Sequence, residues 1–328
     1  MAEVEPRCDV MALFVAARDE KRYLRVSAPM VRYSRLAFRR TVRKHGIDLA
    51  YTPMIVADSF TKSQWAREAD FHTAEDDRPL VAQFAANNGP VLAHAVELMA
   101  PYADAFCLNC GCPQRWAIQD GLGCALTLNP DAMVDLVRHA RAAVPHHPVS
   151  VKVRIRDTAA ETVELVRRAE AMGAAWISVH GRTPAERHQP VHYDMLKLVK
   201  DSVSVPVVAN GDIFTLKDAD RVWNETGCDG IMAARGLLAN PGLFEGGRYV
   251  SREVIGDFLG EALCTGLHTS LLQHHLNFML EPIMGRADRQ EFGRLPSATA
   301  MMTFLEERFD IKVNLPLTNP SPHMTQVH

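Results

Sequence analysis

Eight short β-rich runs, separated by longer amphipathic stretches, leave this chain few architectures. They fall at Tyr23–Pro29, Leu49–Met54, Pro79–Ala85, Ala105–Cys110, Ser150–Ile155, Trp176–Gly181, Pro206–Gly211 and Gly230–Arg235. Several are continuous apolar runs rich in Val and Ile, the pattern of parallel strands buried on both faces. Helical patterns lie between them. The clearest, Ala159–Met172, stops at Gly173, where a helix end favours a residue free to adopt left-handed backbone. Asn129-Pro130-Asp131 reads as the cap and first turn of another. Eight strands with intervening helices predict an α/β fold, a closed (β/α)8 barrel in preference to an open doubly wound sheet.

Such a barrel takes roughly 250 residues, and the chain has 328, so a tail large enough to fold remains. From about Ser251 the β-rich runs cease; Val254–Leu280 and Ala298–Phe309 read as helices joined by a Gly/Pro/Arg-containing connection. The expected organisation is an N-terminal extension (1–22), a barrel (23–248) and a small helical domain (249–328). Residues 1–20 and 314–328 carry no readable element and are expected as loose ends.

With 47% hydrophobic and 23% charged residues, the composition excludes a disordered or fibrous chain. No apolar run reaches the roughly 18 residues of a membrane span, and the N-terminus lacks the basic start and apolar core of a secretory signal. A cytoplasmic protein is the expectation, a nuclear one being compatible. Seven cysteines, an odd number, do not suit a secreted disulfide framework. The net charge of −3 argues against wholesale electrostatic binding of nucleic acid, and the tail itself holds 6 Lys/Arg against 9 Asp/Glu. A local basic surface is expected from the run Arg32, Arg35, Arg39, Arg40, Arg43 and Lys44, with Arg286, Arg289 and Arg294; the plainer reading of the run is a solvated helix face.

Polar and glycine residues gather where seven of the eight runs end: Ser27-Ala28-Pro29-Met30, Gln83, Asn109–Pro113, Lys152-Val153-Arg154, His180-Gly181-Arg182-Thr183, Asn210-Gly211-Asp212 and Ala234-Arg235-Gly236. In barrels the C-terminal ends of the strands form the catalytic face. Glycines after the seventh and eighth strands let backbone N–H groups approach a phosphate, and Arg235 adds a charged donor; ordinary tight turns would look similar. Lys152, inside an apolar strand, needs an electron-rich partner if it points inward, and a flavin ring is one. Gln83 and Asn109 suit the donor and acceptor edges of a planar heterocycle, or local backbone. His180 and Arg182 share a face by the two-residue period and can donate to a pyrimidine or a phosphate. Cys112, between Gly111 and Pro113, is placed as nucleophile, metal ligand or general acid. Cys107 and Cys110 fall within the strand and no second ligand pair occurs, so no metal site is expected.

Taken in order and at these spacings, the motifs resemble those of the tRNA-dihydrouridine synthases. The likeness runs from Ala28-Pro29-Met30, Tyr51-Thr52 and Gln83 through Asn109-Cys110-Gly111-Cys112-Pro113 and Lys152-Val153-Arg154 to His180-Gly181-Arg182-Thr183, Asn210-Gly211-Asp212 and Arg235-Gly236. The tail, with Leu280-Glu281-Pro282 and Phe304-Leu305-Glu306, looks most like the eukaryotic branch acting on positions 20a and 20b of the D-loop. The resemblance implies FMN across the barrel mouth, NADPH as reductant and tRNA as substrate. Ala28, Pro29, Met30, Gln83 and Lys152 would then meet the flavin. His180, Asn210, Gly211, Asp212, Ala234, Arg235 and Gly236 would hold its phosphate, Asn109 and Arg182 would bind the uracil or the flavin edge, and Cys112 would protonate C5. A monomer is expected. Two departures stand out: Ala233-Ala234-Arg235-Gly236 replaces a Gly-Arg-Gly, and Thr52-Pro53 stands where relatives often have Thr-Glu. A flavin barrel acting on a free pyrimidine, and an idle tRNA-binding scaffold, are the competing readings.

Overall fold

The computed structural model describes residues 5–316. Eight strands, β1 (Leu24–Ser27), β2 (Leu49–Val56), β3 (Leu80–Ala85), β4 (Ala105–Cys110), β5 (Val149–Arg154), β6 (Ile177–His180), β7 (Val207–Asn210) and β8 (Gly230–Ala233), close into a parallel barrel in sequence order. Observed boundaries lie within two residues of the predicted ones. The ends of β1, β2 and β8 each shift by two residues; β2 runs on to Val56 past a register irregularity between Tyr51 and Met54. Pro53 lies in that irregularity; it has no N–H to give a ladder, so a bulge accommodates it.

Register decides what meets at the mouth. Lys152 lies beside Asn109 on one flank and Ser178 on the other, and one step higher Arg154, His180 and Asn210 stand abreast on β5, β6 and β7. The same ladder sets Asn210 beside Met232 of β8.

The chain ends differ from expectation. Val10–Asp19 is a helix whose N-cap, Asp9, accepts from the main-chain N–H groups of Met11 and Ala12. Its Val10, Phe14 and Ala17 are buried in one cluster with Leu24, Val26, Tyr51, Val81, Cys107, Trp176, Val208 and Met232, so the helix stoppers the N-terminal opening of the barrel. At the other end Asn314 is tied down: its N–H donates to Gly256 O at 3.0 Å and its side chain to Asp257 at 3.0 Å. A Cβ at Gly260 would lie 1.9 Å from the Asn314 carbonyl, so only glycine admits this strap. Residues 1–4 and 317–328 lie outside the described part of the chain.

The stretch Val254–Leu280 is two helices, Arg252–Cys264 and Thr269–Leu280, broken at Gly266 with φ +65°. The connection that follows holds a further short helix, Arg286–Phe292, and Ala298–Phe309 forms as predicted.

The basic run beginning at Arg32 is not a free surface, and this corrects the expectation placed on it. Most of it lies on the helix Leu36–Lys44, which packs between the barrel and the tail helix Arg252–Cys264. Arg39 (1% exposed side chain) and Arg43 both pair with Asp77 (0%), Arg40 with Asp76 and Glu261, and Lys44 with Asp257. Arg40–Glu261 and Lys44–Asp257 join the tail to this helix, and the Asp76 and Asp77 pairs tie the helix to the segment before β3.

His275, on Thr269–Leu280, is buried among the rings of Tyr33, Phe38 and Phe258. Burial pushes it down to about 3, so the native state holds it neutral while the unfolded chain takes up a proton below about pH 6.5. The unfolded state therefore binds more protons between those values. The stabilising contribution is complete above pH 6.5 and declines as pH falls toward 3, at about 1.4 kcal/mol per pH unit. His275→Phe is expected to flatten the acid side of the stability curve. Urea midpoints from pH 4 to 7 check this; parallel curves for variant and parent would refute it.

Candidate active site

Cys112 is presented by Asn109. The Asn109 Oδ1 accepts from the main-chain N–H groups of Gly111 (3.2 Å) and Cys112 (3.0 Å), which bends the chain sharply beyond β4. Its Nδ2 donates to Gln83 Oε1 at 2.8 Å, and Gln83 Nε2 reaches Cys107 Sγ at 3.4 Å. Asn109 and Gln83 are thus buried partners that set the turn. Cys112 packs against Ala85, Ala117 and Leu122, an apolar corner that Met54 and Val56 also border.

Arg154 was named in a motif without a role, and the structure supplies one. Its Nε donates to Gly111 O at 3.0 Å and its Nη1 to Thr183 O at 3.1 Å, tying the Cys112 turn to the loop after β6. Nothing local in the sequence signals a bond across two loops.

A cavity of about 250 Å³ opens above β6–β8. Arg154, His180, Arg182, Asn210, Gly211, Asp212, Phe214, Ala234, Arg235 and Gly236 line it, and Pro113 reaches it from the Cys112 side. Lys152 Nζ donates to Asn210 Oδ1 at 3.1 Å, and Asn210 Nδ2 donates to Met232 O at 2.9 Å, so the lysine is steered across the barrel. Burial, helped by the Arg154 charge, lowers Lys152 to about 8. Burial and the surrounding Lys152, Arg154, Arg182 and Arg235 charges push His180 down to about 2, keeping its ring neutral. Arg182 forks onto Asp212 through both terminal nitrogens, with Nε donating to Gln189 O at 2.6 Å; Arg235 donates to Asp212 at 3.0 Å. These cations hold the Asp212 carboxyl below its usual range. Arg182 therefore lines this cavity, which Pro113, the neighbour of Cys112, also borders. At the end of β1, Ala28 is buried, Met30 is half-buried, and Ser34 Oγ bridges the Met30 N–H and the Ala28 carbonyl.

The cavity fits a phosphate-bearing cofactor. Cations outnumber carboxylates around it, Gly211 takes φ +140°, and a Cβ at Gly236 would lie 2.1 Å from Ile213 O. Backbone can thus approach an anion where a side chain would block it. The Ala233-Ala234 departure leaves this close approach intact, because the critical glycine is Gly236. Among the described residues no group of three or more His, Cys, Asp or Glu is placed to hold a metal ion.

Barrel and site together define a (β/α)8 enzyme with an anion-binding mouth. The chain belongs to the dihydrouridine synthase family, matching its domain over residues 26–289, and is an oxidoreductase of that kind. It is 48% identical over 288 residues to the mouse tRNA-dihydrouridine(20a/20b) synthase-like protein, covering 87% of this chain and 89% of that one. The human counterpart is 48% identical over 290 residues, with 88% and 92% covered. The Saccharomyces cerevisiae tRNA-dihydrouridine(20a/20b) synthase is 38% identical over 294 residues, with 88% and 80% covered. All three names carry NAD(P)+. Among solved structures, an old yellow enzyme from Trypanosoma cruzi shares the fold, with TM-score 0.51 at 10% identity over 68% of this chain and 87% of that chain.

Proposed function

We propose that this chain reduces uridine in the tRNA D-loop to 5,6-dihydrouridine, with FMN as cofactor, NADPH as reductant and Cys112 as proton donor to uracil C5. The observation that carries the reading is the pairing of two features at one mouth: a thiol on a turn fixed by Asn109, and a cationic glycine-lined cavity beside it. Relatives named for this reaction on positions 20a and 20b support tRNA as the substrate. FMN, when bound, would supply the hydride for uracil C6.

The protein's part follows from its own groups. His180, Arg182, Arg235 and the main chain of Gly211 and Gly236 would hold the phosphate; Asp212 would keep both arginines aimed. Lys152 would lie against the electron-accepting edge of the ring system, and Ala28, Pro29, Met30 and Gln83 would border it. The apolar corner of Met54, Val56 and Leu122 would exclude water around the Cys112 thiol, so that its proton goes to carbon. A uridine in a folded tRNA must leave its stack to enter the mouth. Exposed Trp65 (82%) on the helix Gln64–Asp70, Trp116 (41%) on the helix Arg115–Gln119 and Phe214 (44%) on the loop after β7 offer faces for splayed bases. Residues 249–328 would complete the RNA clamp, and a cytoplasmic monomer suffices for the work.

Mass-spectrometric mapping of dihydrouridine in tRNA from cells lacking the protein tests substrate and position together. Loss at one or two D-loop positions is expected. An unchanged map, or purified enzyme reducing free uracil as well as tRNA, would reject tRNA as its substrate.

A further inference from the structure

A second thiol lies against Cys112 and has no part in the reaction above. The 3-10 turn Gly123–Leu128 crosses directly over the Cys112 turn. Cys124 N–H donates to Cys112 O at 3.0 Å, a main-chain contact that holds the two residues side by side, as a disulfide requires. Gly123 takes φ +61°, and a Cβ there would lie 2.8 Å from the Cys112 Cβ, so glycine alone allows the turn to sit this low. Both cysteines are free; Cys124 is 4% exposed, and Cys112 is partly exposed. An oxidant in the mouth thus reaches Cys112 first, with Cys124 in wait beneath the turn. Burial raises Cys124 to about 11, and the Arg154 charge pulls the other way. Cys107 and Cys110 are buried within β4.

We propose that Cys112 and Cys124 form a peroxide-oxidisable pair, a modification site in which Cys124 resolves oxidised Cys112 as a reversible disulfide. In the first step the Cys112 sulfur attacks a hydroperoxide: an S–O bond forms, the O–O bond breaks, and water or an alcohol leaves with the thiol proton. In the second, the Cys124 sulfur attacks the Cys112 sulfur: the S–S bond forms, the S–O bond breaks, and the hydroxyl leaves as water with the Cys124 proton. The two thiols supply both electrons and the peroxide takes them. The oxidised enzyme would have no proton donor, a consequence resting on the role proposed for Cys112, but it would be spared irreversible oxidation.

The test treats purified full-length, flavin-loaded protein with hydrogen peroxide, blocks residual thiols, and measures intact mass and peptide maps. The expected product is about 2 Da lighter and yields a Cys112–Cys124 cross-linked peptide that dithiothreitol removes. Cys124→Ser is expected to start with parental activity, then gain about 32 Da as Cys112 sulfinic acid and fail to recover with dithiothreitol. Absence of the cross-linked peptide from the parent, or equal recovery in Cys124→Ser, would overturn the proposal. The peptide map of the parent decides the matter even if Cys124→Ser folds poorly. Because it reads mass and not catalysis, a disulfide found in a protein inactive on tRNA would leave the pair standing and sink only the substrate reading.

Discussion

Cys112→Ala is expected to keep its yellow flavin and its NADPH oxidation while dihydrouridine formation falls by about 10²–10⁴-fold, the usual worth of a positioned general acid. The reasoning is geometric. The thiol packs against Ala85, Ala117 and Leu122 and does not line the anion cavity, so removing it touches no proposed phosphate contact. The backbone of the turn is held by Asn109 and Arg154 and does not depend on the sulfur. Lys152→Ala should show the opposite split, with flavin content or its reduction rate falling first, because Lys152 is directed toward the cavity through Asn210. Flavin absorbance, stopped-flow reduction by NADPH and single-turnover tRNA reduction separate the two. Full tRNA reduction by Cys112→Ala would remove the thiol from the mechanism, and normal flavin content and reduction in Lys152→Ala would remove the lysine from its assigned place.

The second large effect concerns the joint beneath the site. Asp77→Ala is expected to destabilise the protein by about 3–5 kcal/mol, the cost of leaving buried charge without its partner. Asp77 is 0% exposed and takes bonds from Arg39, Arg43 and Thr73. The residual bonds from Arg39 to the carbonyls of Ser34 and His72, both at 2.7 Å, do not neutralise charge. Against a total stability of roughly 5–15 kcal/mol this loss is severe, and the melting temperature should drop on the order of 10 °C. A change under about 1 kcal/mol in the urea-derived stability would show that the guanidiniums find another anion.

That same cluster shows where sequence reading stops. A row of six basic residues reveals its own sign and spacing but not Asp76, Asp77, Asp257 and Glu261, which come from distant segments to neutralise four of them. Strands were legible because parallel barrel strands are apolar on both faces, so each stands out as an unbroken run. The polar residues at their ends were legible as a set for the same reason: polarity interrupting such runs is conspicuous. Arg154 was visible but mute, since its partners are main-chain carbonyls in two other loops. Arg182 was legible as a mouth residue, yet only the fold shows that Asp212 and Gln189 hold it over β6–β8. The helix Val10–Asp19 had a readable signal in Asp9 followed by an apolar run. The break at Gly266 likewise had its glycine in plain view.

The helix at the barrel's base also bears on how the chain assembles. It precedes every strand in the chain, yet its seat includes Val208 and Met232, residues some two hundred positions later. Its seat is complete only once the eighth strand has closed against the first, so the last of its contacts form late. Interactions absent from the transition state leave the folding rate alone and slow unfolding instead. A segment made before all eight strands thus acts as the latch on the finished barrel, setting how long the protein lasts rather than how fast it forms.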